Sequence, residues 1–267
     1  MSKTRFIAGG CSFTLGNELS DDKDGKTASQ KSWAYELYKH SKATGDYVCT
    51  AFGGLGNQAI ARRVFGEIGN GNIEGVVVMW SFLSRYDWAM PRNKFLEDTR
   101  WASISPWDTN VGAEERHKNI RGSEVQQNWW SNREKVLAET GVKPFAEAIY
   151  RHASNQYHEI YLSWKSIIWL QNILEKKKIP FMFTLADNSL FYQDFTHHKE
   201  QDRFMNALYS EIDITKWFSF GERMMGFNQW AILNEYARGT THPLDKAHED
   251  AIMLMKPTFD KLIGGKK

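Results

Sequence analysis

The sequence has few cysteines and no recognisable metal-ligand spacing. Its 267 residues include two cysteines, Cys11 and Cys49, whose separation suits neither a disulfide framework nor a metal site. Both lie in apolar, strand-like segments, where a free thiol behaves as a small hydrophobic side chain. The adjacent His197 and His198 would point apart on a regular element, so we expect surface residues rather than ligands. We therefore expect no metal, no cofactor and a reducing compartment.

The sequence also has little net charge and no long hydrophobic run. The net charge is +2, with Lys and Arg scattered among Asp and Glu, which argues against a nucleic-acid-binding surface. No segment is apolar enough for a signal peptide or a membrane span, so we expect no signal peptide and no membrane association. These features predict a cytoplasmic protein, or a virion-associated one if the source is viral.

Apolar segments with strand and helix patterns alternate along the chain. Strands are predicted at residues 5–11, 47–52, 75–82 and 180–185. Helices are predicted at residues 32–40, 58–68, 163–178 and 244–256, with Pro257 ending or kinking the last. This alternation predicts a single α/β domain over residues 1–267, with a mostly parallel, flavodoxin-like sheet in a three-layer α/β/α arrangement.

Residues 86–157 interrupt this alternation and are rich in tryptophan. Trp88, Trp101, Trp129 and Trp130 lie there among charged and polar residues. We predict a mostly helical insertion between the third and fourth strands, and two roles remain open for it. It could cover a site as a lid, or it could form an accessory helical layer.

Residues with chemical potential follow the first two strands. Ser12 comes directly after the first strand, where a serine can expose its hydroxyl at the sheet edge while its own N–H faces the same space. The glycine-rich turn at residues 53–57 follows the second strand, and its backbone can approach a ligand closely at Gly54. Asn57 could donate its side-chain amide there, or it could be the N-cap of the next helix. Simple turns, or a nest for phosphate, are the alternative interpretations.

A histidine near the C-terminus completes this set. His242 precedes Pro243, which biases its backbone to an extended form on a loop, where a general base can reach a serine. His248 lies within the following helix and is expected to be structural.

In this order, the segments resemble the conserved blocks of the SGNH/GDSL hydrolase family. Residues 10–14 resemble the Gly-Asp-Ser block, with Ser12 as nucleophile. Gly54 resembles the oxyanion glycine of the second block, and His242 resembles the catalytic histidine of the last. Trp80 and Ser81, at the end of the third strand, make the chain similar to small SGNH-like proteins of phages and bacteria. The resemblance spans nearly the whole chain apart from the insertion.

The sequence departs from the family pattern in its first and third blocks. Cys11 replaces the aspartate of the first block, which removes a carboxylate that helps to hold the loop. The third-block Gly-x-Asn-Asp is absent after Ser81, and our hypothesis is that Asn57 takes over its asparagine's role.

The position of the triad acid departs as well. The family's acid lies two or three residues before the histidine, where this chain has Thr240 and Gly239. Thr240 or a backbone carbonyl could orient His242 instead, and Asp245 is the nearest carboxylate in sequence. The triad therefore lacks an acid at its usual position.

The resemblance implies a serine esterase or deacylase that acts on a small acyl ester, with an O-acetylated carbohydrate as one candidate. Ser12 would be the nucleophile and His242 the base, and an oxyanion hole would comprise Ser12, Gly54 and Asn57. The alternative is a catalytically weak SGNH fold kept for binding or structure, with a homo-oligomer or a phage particle as its assembly.

Overall fold

The computed structural model describes residues 4–69, 71–90, 101–109, 141–192 and 203–265. Its strands are β1 (Thr4–Gly9), β2 (Asp46–Cys49), β3 (Asn72–Trp80), β4 (Tyr86–Ala89), β5 (Trp101–Ile104) and β6 (Phe181–Leu185). Its α-helices are α1 (Ser12–Leu15), α2 (Trp33–His40), α3 (Asn57–Ile68), α4 (Val142–His152), α5 (Gln156–Lys176), α6 (Ser189–Tyr192), α7 (Arg203–Ser210), α8 (Phe227–Leu233) and α9 (Asp245–Leu262). Short 3-10 helices cover Pro106–Asp108 and Ile214–Lys216.

Four strands form a parallel sheet in the order β2-β1-β3-β6. Strand β3 is buried continuously from Gly75 to Trp80, as expected for a strand covered on both faces. The chain winds from β1 to β2 on one side and from β3 to β6 on the other. The switch point therefore lies between β1 and β3, and ligands of open α/β sheets bind at the carboxyl ends of the strands there.

Helices cover both faces of this sheet. Phe6 of β1 packs against Tyr38 of α2 and Phe259 of α9. Gly9 lies three residues further along the strand and so faces the opposite side, where an added Cβ would overlap Val64 of α3. Helix α3 packs in turn against α5. The predicted three-layer α/β/α fold is thus confirmed.

The last helix runs further than its sequence predicts. It was expected to end near Lys256, but α9 continues past Pro257 to Leu262. A proline inside a helix costs about 3 kcal/mol because it removes a backbone hydrogen bond and crowds the preceding turn. Phe259 offsets much of this cost, because its fully buried ring packs against Phe6 and His40. Burial of such a side chain contributes roughly 1.5–3 kcal/mol.

The described part of the tryptophan-rich insertion contains a β-ladder, the 3-10 helix Pro106–Asp108, helix α4 and the first residues of α5. Strands β4 and β5 pair antiparallel, which the prediction of a mostly helical insertion did not include. Tyr86 and Ile104 of this ladder pack with Val142 of α4 in a second, smaller hydrophobic cluster. Arg62 of α3 ties the ladder to the main domain through an ion pair with Asp87, at 2.8 Å.

Some of the predicted features lie outside the described residues. Trp129, Trp130 and the pair His197 and His198 are among them. In the parts of the chain that are described, no helix combines the length and the hydrophobicity that a membrane crossing requires.

Candidate active site

Ser12 lies at the carboxyl end of β1, at the first position of the short helix α1. The sequence predicts Cys11 as the last residue of the first strand, but it is the N-cap of α1. Its carbonyl accepts the N–H groups of Thr14 and Leu15. Gly10 makes this tight turn feasible, because an added Cβ there would overlap the Thr14 side chain. The turn presents a nearly buried Ser12 hydroxyl at the edge of the sheet.

The hydroxyl of Ser12 is hydrogen-bonded to His242. The two residues are 230 positions apart, and 2.7 Å separates Ser12 Oγ from His242 Nε2. The Phe13 ring packs edge-on against the imidazole, with the ring centroids 4.8 Å apart. The loop before α9 therefore brings the predicted base to the predicted nucleophile.

A carboxylate that the sequence analysis missed occupies the other side of the imidazole. Glu18 Oε2 lies 2.7 Å from His242 Nδ1, so His242 lies between a serine and a carboxylate. Glu18 also accepts three consecutive backbone N–H groups, from Thr240 at 2.6 Å and from Thr241 and His242 at 3.0 Å each. The chain wraps so closely that a Cβ on Gly239 would lie 2.7 Å from the carboxylate. One carboxylate thus orients the imidazole and shapes the loop that carries it.

These contacts keep Glu18 ionised. Burial acts to raise the pKa of Glu18, but the hydrogen bond with His242 and the backbone N–H groups outweigh it. They lower the pKa from 4.5 to about 2. The site therefore holds a carboxylate anion at neutral pH, 2.7 Å from His242 Nδ1.

The turn after α1 delivers Glu18 to this position. Helix α1 ends at Gly16 in the left-handed conformation, and Glu18 itself has a φ of 68°. The Asp22 carboxylate steadies the turn by accepting the Glu18 N–H at 2.9 Å. The available signal was a glutamate six residues beyond Ser12, just past a helix-ending glycine. It was overlooked because the family places its acid beside the histidine.

The described contacts of Thr240 and Asp245 are with other groups than the His242 ring that the sequence suggested. Thr240 acts on the carboxylate, to which its backbone N–H donates. Asp245 accepts hydrogen bonds from the Ser20 N–H and hydroxyl and pairs with Lys31 at 2.7 Å. The pKa of Asp245 is lowered to about 2, because hydrogen bonds from Lys31 and Ser20 outweigh the opposing effect of burial. Its carboxylate secures the loop after α1, whereas His242 Nδ1 contacts Glu18 Oε2 at 2.7 Å and Thr241 Oγ1 at 3.0 Å.

His248 has the structural position that was expected. It is fully buried, and its Nδ1 accepts the Trp33 N–H at 3.1 Å, which fixes the start of α2. Burial, assisted by the charge of nearby His242, lowers the pKa of His248 to about 3. The neutral imidazole therefore serves as a hydrogen-bond acceptor inside the fold.

Two backbone N–H groups remain available for an oxyanion. Neither the Ser12 N–H nor the Gly54 N–H has a hydrogen-bond acceptor within the described part of the chain. Gly54 has a φ of +80°, and a Cβ there would meet no atom within 4 Å, so this one position of the loop faces open space. Both residues follow carboxyl ends of neighbouring parallel strands, β1 and β2, which lie at the same edge of the sheet.

Asn57 is not available as an oxyanion donor, contrary to the sequence prediction. Its amide nitrogen donates to the Ser81 carbonyl at 3.1 Å and to Ser163 Oγ at 3.0 Å, which uses both amide hydrogens. Its oxygen accepts the Ser81 N–H at 2.7 Å. Asn57 is also not the helix N-cap, because α3 begins at Asn57 after Gly56. This side chain instead fixes the backbone on both sides of Ser81.

Comparison with known proteins finds similarity to solved structures and not to sequence families. The sequence matches no known protein-family profile and no curated protein. The chain is similar to a solved structure described as a two-domain esterase (CEX) active on acetylated mannans, with 11% identity and a TM-score of 0.33. The match covers 99% of this chain and 50% of the esterase, so the chain spans about half the length of that protein. A likeness of this degree carries no functional argument. The chemistry open to the protein is judged from the geometry of Ser12, His242 and Glu18.

Proposed function

We propose that this protein is a serine ester hydrolase of the SGNH type, with Ser12, His242 and Glu18 as its triad. The observation that carries the proposal is the hydrogen-bonded series from Ser12 Oγ through the His242 ring to Glu18, with both distances at 2.7 Å. A serine, a base and an acid that orients the base form the recurring arrangement of serine hydrolases, which is recognised by geometry rather than by sequence position.

In the first half of the reaction, Ser12 Oγ attacks the acyl carbon of the ester, and its proton passes to His242 Nε2. The carbonyl oxygen becomes an oxyanion that the Ser12 and Gly54 N–H groups can bind. The bond between the acyl carbon and the alcohol oxygen then breaks, and His242 returns the proton to the departing alcohol. In the second half, water gives a proton to His242 and attacks the acyl carbon; the bond from that carbon to Ser12 Oγ then breaks, His242 returns the proton to Oγ, and the acid is released.

The role of Glu18 follows from its negative charge. While His242 carries the proton, its positively charged ring lies between Ser12 Oγ and the Glu18 carboxylate, whose lowered pKa keeps it ionised. The carboxylate holds the ring with Nδ1 protonated, so that Nε2 faces Ser12 as an acceptor.

The substrate is proposed to be a small acyl ester, with an O-acetylated carbohydrate as one candidate. The alternative, a catalytically weak fold kept for binding or virion structure, was favoured by a missing triad acid. Because Glu18 provides a carboxylate beside His242, the lack of an acid no longer supports this alternative. A hydrolase therefore remains the function that the geometry supports best.

Hydrolysis of p-nitrophenyl acetate and of an acetylated oligosaccharide tests the proposal. Wild type should release acid, whereas Ser12→Ala and His242→Ala should lose roughly 10⁶-fold in kcat, down to the background. Ser166→Ala is the matched control, because the Ser166 hydroxyl donates to the Leu162 carbonyl of its own helix and has no other hydrogen-bond partner among the described residues. An inactive wild type across acyl lengths and pH values would exclude the hydrolase and favour the binding protein.

A further inference from the structure

Arg85 connects the loops that follow β2 and β3. Its Nη1 donates to the Leu55 carbonyl at 3.1 Å and to Ser81 Oγ at 2.7 Å. Leu55 directly follows Gly54, whose N–H is the proposed oxyanion donor. The guanidinium thus binds the backbone of the glycine-rich turn one residue from the group that would meet the oxyanion.

Arg85 is partly buried, and its partners are unusual for an arginine in such a position. Among the described residues, no carboxylate forms an ion pair with it. Its guanidinium lies over the Phe82 ring at 5.0 Å, and Phe82 packs against Phe13 beside His242. The charge-assisted hydrogen bonds of Arg85 are therefore directed to neutral oxygens of two loops at the site, which indicates a positioning role.

The residues on either side of Arg85 are held by α5 and by α4 of the insertion. Glu159 of α5 accepts the Ser84 hydroxyl at 3.1 Å and the Tyr86 hydroxyl at 3.0 Å. The Tyr150 hydroxyl of α4 donates to the Ser84 carbonyl at 2.5 Å. Ser84 has a φ of 61°, a left-handed conformation that a serine adopts only when its surroundings hold it. The turn that aims Arg85 at Leu55 is thus fixed from the helices behind it.

Close backbone contact fixes the distance between the two loops. A Cβ on Gly56 would lie 2.6 Å from the Arg85 carbonyl oxygen, so only glycine fits there. On the far side of the turn, Arg63 donates its Nε–H to the Thr50 carbonyl at 2.7 Å. Two arginines therefore hold carbonyl groups on both sides of the turn, while the Gly54 N–H between them stays unpaired within the described residues.

We propose that Arg85 is a positioning residue for the oxyanion hole, and that it fixes the Gly54 N–H by holding the Leu55 carbonyl. Through Ser84 and Tyr86, Tyr150 of the insertion and Glu159 of α5 support Arg85 in this role. The inference rests on the proposed function, because it needs an oxyanion at Gly54. It assigns the insertion a bracing role in catalysis, separate from that of a lid.

The test uses a fluorophosphonate probe, which labels an activated serine without knowledge of the natural substrate, together with p-nitrophenyl acetate hydrolysis. Loss of one oxyanion donor costs about 10²–10³ in kcat, so Arg85→Met should lower kcat and the labelling rate by roughly 10². The KM should stay within about threefold of the wild-type value, because the hydrogen bond from the Gly54 N–H to the oxyanion forms only in the transition state. Arg5→Met is the control, since it removes an ion pair, with Glu67, at the other end of β1.

Two further variants separate positioning from a general loss of stability. Arg85→Lys keeps the charge but replaces the planar guanidinium, whose Nη1 donates to both Leu55 and Ser81, with a shorter and more flexible ammonium group, so it should fold and lose about tenfold in kcat. Glu159→Gln should lose about tenfold alone, yet add little to Arg85→Met, because both act through the same turn.

The outcomes are distinguishable. If the probe labels the wild type, and Arg85→Met and Arg85→Lys react at the wild-type rate, the positioning role is wrong while the hydrolase stands. Equal losses in Arg85→Met and Arg5→Met, or fully additive losses with Glu159→Gln, would also overturn it. A wild type that is neither labelled nor active would overturn the proposed function and this inference together.

Discussion

Replacement of Glu18 by glutamine tests the assignment of the triad acid most directly. The Glu18 carboxylate receives four N–H groups, and three of them meet Oε2. Glutamine would satisfy most of these by turning its oxygen to the Oε2 side, which leaves one unfavourable contact between its amide and the Thr240 N–H. The His242 Nδ1–H would keep an acceptor and the ring its orientation. The variant therefore removes mainly the negative charge.

The size of the loss follows from the charge that disappears. In the transition state, a protonated His242 faces the Glu18 carboxylate, with Nδ1 and Oε2 at 2.7 Å. Two unit charges centred about 4 Å apart attract by ~4 kcal/mol at an effective dielectric constant of about 20. This corresponds to roughly a thousandfold in rate, since each 1.36 kcal/mol is about tenfold. We expect Glu18→Gln to lower kcat about 10³-fold and Glu18→Ala about 10⁴-fold.

The assay is ester hydrolysis, with Asp245→Asn as the matched control. Asp245 is the carboxylate nearest to His242 in sequence, but its side chain serves Ser20 and Lys31. Its partly exposed ion pair is worth at most about 1 kcal/mol, so Asp245→Asn should stay within about fivefold of wild type. The assignment would be refuted if Glu18→Gln kept a near-normal kcat while Asp245→Asn lost most of its kcat.

Three further predictions concern stability, each checked by urea unfolding. His248→Gln should remove a pH dependence of the free energy of unfolding. Because the pKa of His248 is lowered in the folded protein, the unfolded chain binds a proton that the folded chain does not. The free energy of unfolding of the wild type should therefore fall by about 2 kcal/mol between pH 6.5 and pH 5, and an equal loss in the variant would count against this. Gly10→Ala should destabilise the fold by about 1–3 kcal/mol, because the new methyl overlaps the Thr14 side chain, and an unchanged midpoint would contradict the tight turn. Arg62→Met should cost about 3 kcal/mol by leaving the buried Asp87 carboxylate unpaired, and Arg62→Met with Asp87→Leu should recover part of that, whereas additive losses would speak against the pairing.

The features that could be predicted from the sequence are those with a local pattern. The apolar run of β3 and the Ser12 turn after β1 can each be predicted from a few neighbouring residues. His242 was identified because a proline after a histidine keeps the backbone out of the helix. Parallel topology then follows, because alternating strands and helices have few ways to pack.

The features that could not be predicted depend on contacts between distant segments. Glu18 meets His242 across 224 residues, and no local pattern announces such a pairing. Asn57 looked like a free donor because its partners, Ser81 and Ser163, lie 24 and 106 residues away. Phe259 keeps α9 intact beyond a proline because its ring packs into the core, which overrides helix propensity.

The triad combines a short-range pair with a long-range partner. Ser12 and Glu18 lie on one turn and can be positioned as soon as that turn forms, whereas His242 reaches them across 230 residues. Contacts of such sequence separation carry a large loop-closure cost and tend to form late in folding. During synthesis, the nucleophile and acid leave the ribosome long before the base. The nascent chain should therefore be inert toward esters until the segment around His242 docks, so hydrolytic activity would report the completion of folding itself.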